Sequence, residues 1–298
     1  VAEKFVDVNT GTGIVHLSPA NGEDDYNIAM KRKVEIFSPI NDEVKFTDEA
    51  GTYTGMFVRD ADEKIVQDVK EKNALVKIGK IKHKYPLCWR SKHKLVWLAR
   101  REYFYMLDRL DDKAVNAAQK VEYFFDQPKN RFLEIIKEKH PWCISRERFW
   151  GCPLPIWKCV ECENIERLFS RKEIVDASDD LPDGPDFELH RPWIDRISIK
   201  CKKCNSKMQR EEFVLDTWHN SGVAPFASLT DDEYEKKIPA PFFTEGIDQT
   251  RGWAYTLLIE NVILNNKEIP PYESFLFQGH VLDEKGNKMS KSTGNVLD

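Results

Sequence analysis

The sequence predicts an α/β chain. Part of an open sheet binds its ligand at the strand ends, preceded by a metal-binding insertion and a β-rich N-terminal portion. Three observations carry this. Pro241-Phe242-Phe243 reads as the entry to a strand that ends near Thr244, and a helix follows with Leu257, Leu258, Val262 and Ile263 as its inner face. Strand end, Gly246 turn and helix N-terminus, in that order, are where open α/β sheets bind ligands. Upstream, two Cys-x-x-Cys pairs supply four thiols, and short apolar runs broken by Gly and Pro open the chain.

In chain order, Lys4 to Val8 and Ile14 to Leu17 read as strands around a Gly11-Thr12-Gly13 turn. Pro19 to Gly22 breaks the pattern, and Asp24 or Asp25 begins a short helix through Lys31. Val34 to Phe46 reads as short strands with turns at Pro39 and Asn41. Ala61 to Asn73 has helical spacing, with Ile65, Val66 and Val69 on one side. Asp111 to Gln119 and Asn130 to His140 read as helices, the second burying Phe132, Leu133, Ile135 and Ile136. Ile144 falls on a short strand.

The 298 residues suffice for about two domains at roughly 150 residues each. No run of about 18 apolar residues exists, so no membrane-spanning helix is expected. There is no signal peptide, the first residue is Val1, and a cytoplasmic location is expected. Net charge is −5, which argues against a general nucleic-acid coat. The charge is uneven, however. Lys77 to Arg101 holds nine Lys or Arg and no acid, and Asp176 to Glu188 is acidic. Such a stripe fits either a selective polyanion contact or a solvated face.

The seven cysteines are an odd number, which with the two Cys-x-x-Cys pairs favours thiols and metal over disulfides. Cys159, Cys162, Cys201 and Cys204 form two knuckles that can turn four thiolates onto one tetrahedral Zn²⁺. Four cysteines leave no open position for water, so the zinc is structural. Lysines crowd the second pair, which disfavours four merely buried thiols. Cys88 has no such partners, and no metal is expected there.

Three further stretches carry chemistry. In Trp142 to Gly151, Arg146 and Arg148 can take a phosphate or carboxylate bidentately, while Phe149 is expected in the core. In Glu245 to Trp253, a carboxylate can hold an ammonium or ribose hydroxyl, and Gln249 can bond neutral groups. Asp248 or Thr250 can also cap the helix. In Lys288-Met289-Ser290-Lys291-Ser292, two ammonium groups three residues apart suit a polyanion, with Ser290 and Ser292 adding hydrogen bonds. For a Lys-Ser pentapeptide alone, a solvated basic turn is the plainer reading.

That pentapeptide is identical to the KMSKS signature of the class I aminoacyl-tRNA synthetases. Trp142 to Trp157 resembles the WCISRxRxWGxPxP block of the isoleucine, valine and leucine members. Leu215 to Gly222 resembles their DVWFDSG strand and turn, with His219 and Asn220 departing from the usual Phe and Asp; His219 reads as a packing or surface variant. Glu245 to Trp253, EGIDQTRGW, resembles the isoleucine form. Residues 11–26 resemble the closing part of the editing insertion.

The resemblance implies an internal piece of an isoleucine-specific member. It has the closing part of a mainly β editing domain (1–85), a connecting region (86–150), a zinc-binding insertion (151–210) and the second half of a Rossmann-type catalytic domain (211–298). The first catalytic half, with its HIGH motif, is expected elsewhere, so this piece alone is expected to be inactive. The implied partners are ATP with Mg²⁺, L-isoleucine and its tRNA. The implied roles are pyrophosphate neutralisation for Lys288 and Lys291 and ATP contact for His280 and Lys291. Glu245, Gly246, Asp248 and Gln249 would hold the aminoacyl-adenylate, and Trp218 and Trp253 would wall the isoleucine side chain. Asp25, with His16 nearby, would hold the ammonium of a misplaced amino acid in editing; Asp24 is the neighbouring alternative. Two other readings stay open: a valine or leucine member, and a non-catalytic zinc-ribbon nucleic-acid binder.

Overall fold

The computed structural model describes residues 3, 6–9, 12–88, 91–110, 112–289, 291 and 294–296. The chain forms two compact units, Val1–Arg101 and Glu102–Asp298.

The first unit contains helices α1 (Glu23–Arg32) and α2 (Asp62–Glu71). α1 opens on Glu23, Asp24 and Asp25 and closes on Lys31 and Arg32, the charge order that complements its dipole. The strands expected at the N-terminus are not found among the described residues: Ile14 to Leu17 is irregular, while Lys4 and Phe5 lie outside the description. Val34 to Phe46 holds only isolated bridges, Ile40 with Phe46 and Lys45 with Phe57. The physical reason is pairing. Val8 and Ile14 are 78% and 83% exposed, so among the described residues these apolar side chains have no packed sheet face to join.

The second unit begins with β1 (Phe104–Tyr105), α3 (Lys113–Gln119), β2 (Glu122–Tyr123) and α4 (Asp126–Lys137). There follow β3 (Trp142–Cys143), β4 (Ser145–Arg146), β5 (Ile156–Cys159), β6 (Ile165–Arg167), α5 (Arg171–Ala177) and β7 (Ser178–Asp180). Next come β8 (Ser198–Lys200), β9 (Lys207–Arg210), β10 (Val214–Leu215), α6 (Thr217–Gly222), α7 (Ala224–Ser228) and α8 (Asp231–Lys237). The last elements are β11 (Phe243–Gly246), α9 (Trp253–Asn265) and β12 (Ser274–Gln278).

α4 starts four residues before its expected start, because Pro128 is tolerated in a first turn whose N–H groups have no helical partner. Its buried residues include Phe132, Leu133 and Ile136, while Ile135 is half-buried. Ile144 lies between β3 and β4 rather than on a strand. The turn expected after Leu215 is helical, because the Asp216 carboxylate accepts the Trp218 N–H and caps α6.

β11, β12 and β2 form a parallel sheet in that order, with Glu245 opposite Phe277 and Gly246 opposite Gln278. α9 packs beside this sheet. It is apolar nearly all round, and such a helix belongs in a core. Ala254, Leu257, Leu258, Ile259 and Val262 join Phe132, Tyr272, Phe275 and Phe277 in one buried cluster. Each Leu or Phe fully buried there contributes about 1.5–3 kcal/mol. A second core of Trp157, Ile174, Ile199 and Met208 belongs to an antiparallel sheet in the order β6-β5-β9-β8-β7.

α6 lies hard against α9 at Gly222. A Cβ there would meet Glu260 Cγ and the Thr256 carbonyl oxygen, each at 2.9 Å. Gly222→Ala is therefore expected to destabilise the second unit by about 1–3 kcal/mol through overpacking. Urea denaturation checks this, and an unchanged midpoint would mean that α6 moves aside freely.

Candidate active site and metal centre

The strand-end site forms where β11 and β12 finish together. Glu245 is half-buried one residue before the end of β11, Gly246 ends the strand, and a 3-10 turn, Ile247–Arg251, leads into α9. A Cβ on Gly246 would lie 2.6 Å from Asp248 Oδ1, so glycine lets the Asp248 carboxylate approach the strand end. Asp248 is exposed. Capping of α9 falls to neither Asp248 nor Thr250. The Thr250 hydroxyl donates to the Ile247 carbonyl at 2.8 Å, and Gln249 Oε1 accepts the Trp253 N–H at 2.5 Å. Gln249 Nε2 donates to Asp248 Oδ2 at 3.2 Å, which ties the two side chains into one polar edge.

The neighbouring strand, β12, releases Gly279 and the exposed His280 from the same end of the sheet. A tight turn follows. Asp283 Oδ1 accepts the N–H groups of Lys285 and Asn287 at 3.0 and 2.7 Å, and Gly286 N–H donates to the Asp283 carbonyl. The Asn295 amide donates to Asp283 Oδ2 at 2.9 Å and to the Lys288 carbonyl at 3.2 Å, which closes the loop on itself. The Asn295 amide and then the Asn287 N–H hold the Asp283 carboxyl below its ordinary range. Lys288 and Lys291 are exposed on this loop; Ser290 and Ser292 lie outside the described residues.

A groove of about 570 Å³ is lined by Arg146, Arg148, Trp150, Asp216, Trp218 and Asn220 among others. Buried Asp216 organises it. Besides capping α6, its Oδ2 accepts from Arg146 Nη2 at 2.6 Å and from the Trp142 indole at 3.1 Å. Arg146 Nη1 also donates to the carbonyls of Cys143 and Ser145. Arg146 is thus a structural tie in this state, and the exposed guanidinium of the groove is Arg148. Phe149 corrects the core expectation: it is 62% exposed, with the Arg191 guanidinium 5.4 Å above its ring. Trp218 is exposed on α6, while the Trp253 indole N–H donates to the Ser221 carbonyl at 3.0 Å. One short helix therefore carries the first tryptophan and fastens the second.

His219 is neither simple packing nor surface. Its Nδ1 lies 2.5 Å from Oε1 of buried Glu260, with the Tyr105 hydroxyl 3.4 Å away. Burial, then the Glu260 charge, pushes Tyr105 up to about 12. The sequence reading missed Glu260 and Asp216. The available signal was an acid inside the apolar run Leu257-Leu258-Ile259-Glu260-Asn261-Val262.

All four expected metal ligands come together: the sulfurs of Cys159, Cys162, Cys201 and Cys204 lie within 4.8 Å of one another. Cys159 and Cys204 are 3.4 Å apart, and Cys162 and Cys201 are 3.6 Å apart. Glu163 and Asn205, each just after a Cys-x-x-Cys, take left-handed φ of 56° and 63° and turn the knuckles inward. The Cys162 and Lys203 N–H groups point to the sulfurs of Cys159 and Cys201. The Ser206 N–H and hydroxyl bring the Cys204 thiol down to about 6. Four converging sulfurs with N–H donors suit a soft, tetrahedral ion such as Zn²⁺.

In the first unit, Asp25 is half-buried and its Oδ2 accepts the Ser18 N–H at 2.8 Å, folding the carboxylate back over the start of α1. His16 and Asp24 are exposed.

Residues 26–298 match the family described as tRNA synthetases class I (I, L, M and V). The chain is 42% identical to the isoleucine–tRNA ligase of Saccharolobus solfataricus, over all of this chain and 30% of that protein. It is 40% identical to the isoleucine–tRNA ligase of Clostridium kluyveri, over 98% of this chain and 28% of that protein. An Agrobacterium radiobacter K84 LeuRS, solved with tRNA and LeuAMS, is 27% identical over 53% of this chain and 22% of its own, with a TM-score of 0.39. The chain thus spans about 30% of the length of the curated relatives it matches.

Proposed function

Since the chain belongs to the class I tRNA synthetases, we propose that it is the portion of an isoleucine–tRNA ligase that closes the active site around the departing pyrophosphate. The observation that carries this reading is the shared strand end. Glu245 to Gln249 and the lysine loop leave adjacent parallel strands whose last paired residues are Gly246 and Gln278. A cationic loop beside an acid-and-amide edge suits a ligand with an ammonium at one end and a polyphosphate at the other.

In this reading the isoleucine carboxylate attacks the α-phosphorus of ATP, the α–β bridging bond breaks, and pyrophosphate leaves with the electron pair. Positioning and charge neutralisation supply most of the rate in such displacements. Lys288 and Lys291 meet the charge on pyrophosphate, and His280 contacts ATP. Glu245, Gly246, Asp248 and Gln249 hold the aminoacyl-adenylate, with Trp218 and Trp253 against its side chain. Mg²⁺ bound with ATP would supply further charge neutralisation. The tRNA terminal ribose then accepts the isoleucyl group. Residues 1–85 close an editing domain, 86–150 connect, 151–210 hold structural zinc, and 211–298 form the second catalytic half. A tRNA substrate fits the cytoplasm.

The test is ATP–pyrophosphate exchange by the full-length protein. Isoleucine should drive it and valine far less, while this chain alone should give none. Exchange driven best by valine or leucine would move the assignment to a sibling, and no exchange with any amino acid would favour a zinc-ribbon binder.

Editing gives a separate expectation. One methylene is worth only about 1–3 kcal/mol in a hydrophobic pocket, and isoleucine against valine is the standing example of that limit. A hydrolytic site must supply the rest. A carboxylate suits the ammonium of valine, which offers three donors and a full charge. Asp25→Ala in the full-length protein should leave isoleucine charging near normal and let valyl-tRNA accumulate; Asp24→Ala should do neither. Clearance of valyl-tRNA at the parent's rate by Asp25→Ala would place the carboxylate elsewhere.

A further inference from the structure

Glu260 is a carboxylate without exposure, and among the described residues its second oxygen, Oε2, has no hydrogen-bond partner. Burying an acid in an apolar helix costs several kcal/mol unless a partner offsets it. The partner here is His219, whose Nδ1 sits 2.5 Å from Oε1. Tyr105 and Trp142 close the surroundings, their rings 5.8 and 6.5 Å from the imidazole. The pair joins the two helices that present the proposed substrate walls. On α6, His219 follows Trp218 directly. On α9, Glu260 stands seven residues after Trp253, two turns along one helical face. The same face carries Thr256, against which Gly222 packs. α6 is thus fastened to α9 twice, by the Trp253 indole on the Ser221 carbonyl and by Glu260 on His219.

We propose that His219 and Glu260 are a positioning pair that sets the separation of Trp218 and Trp253 and thereby the fit of the substrate's aliphatic side chain. This rests on the reading of those tryptophans as the amino-acid walls. Neither residue touches the substrate. If α6 slides along α9, the carboxylate is left unpaired in an apolar core, so the pair holds α6 at one position. Packed interiors tolerate few intermediate arrangements, and a small shift of one indole changes which side chain fills the space.

The test uses the full-length protein carrying Glu260→Leu, Glu260→Gln or the double variant His219→Phe/Glu260→Leu. The double replaces the pair with apolar side chains and keeps the experiment readable where the single truncation does not fold. Isoleucine KM in ATP–pyrophosphate exchange should rise about tenfold in the variants without the pair, and preference over valine should fall, with ATP KM and kcat within about twofold of the parent. Glu260→Gln retains an acceptor oxygen and should stay near the parent. A folded variant without the pair but with the parent's isoleucine KM and preference overturns the proposal. So does a parallel loss of Tm, kcat and both affinities that Gln does not rescue, since that marks a merely structural contact. A parent without isoleucine-dependent exchange would instead overturn the functional reading beneath it.

Discussion

Lys291→Ala in the full-length protein is expected to slow isoleucyl-adenylate formation by about 10²–10³-fold, the range for removing one preorganised group from developing charge. Isoleucine KM should stay within about twofold, because the lysine acts on the pyrophosphate end of the ligand. The argument runs from charge to loop. ATP carries its phosphate charge before reaction, but the α–β bridging oxygen gains its share only as the bond breaks. An ammonium aimed there contributes mostly to the transition state. Lys291 is exposed, and the turn before it is fixed by four hydrogen bonds to the Asp283 carboxylate. Lys291→Arg should recover part of the rate, since charge returns with different geometry. Pre-steady-state measurement of adenylate formation checks both variants, and a Lys291→Ala protein with the parent's turnover would remove the loop from the chemistry.

The second large effect is on folding. Purified under reducing conditions, the protein should carry about one zinc per chain, and Cys201→Ser should abolish it. Apparent binding energies of about 10–16 kcal/mol for structural zinc are comparable to the stability of a whole domain. Loss of the ion should therefore unravel the five-stranded sheet. Trp157, Ile199 and Met208 pack around Cys159 and Cys201 in their own cluster, separate from the one built on α9. Hydrogen exchange after treatment with a strong chelator should accordingly rise across residues 156–210 and much less in α9 and β12. Elemental analysis showing no metal in a folded sample would end this expectation.

What was legible in the sequence was local or repetitive. α9 announced itself by thirteen residues of apolar pattern, and the cysteine knuckles by a spacing that serves few other purposes. α5 and α8 carry capping boxes, Ser170 with Glu173 and Thr230 with Glu233, which the sequence reading missed although the spacing is local. What stayed hidden depended on partners far along the chain. Glu260 shows in the sequence only as an acid inside an apolar run, with nothing to name His219 as its partner. Arg146 reads as taking a phosphate or carboxylate, and only the fold shows that the carboxylate is the chain's own Asp216. The N-terminal apolar runs read as strands because propensity speaks for each run alone, whereas a strand exists only with a neighbour to bond. Phe149 was misplaced for a related reason: large aromatics are usually buried, and only the fold shows which ones line an open face.

The strand order has a consequence for the protein's synthesis. β12 lies between β11 and β2, yet β2 is made roughly 150 residues earlier. At about 5–20 residues per second, a ribosome needs about 8–30 s to cover that distance. For most of that interval β2 lacks β12, its parallel neighbour among the described residues, and the apolar faces of α3 and α4 await α9. The antiparallel sheet has all five of its strands between residues 156 and 210, so it can close while the chain is still growing. The chain can thus complete its middle before its frame, and until β12 emerges the apolar faces of α3 and α4 offer surface for a nascent-chain chaperone to shield.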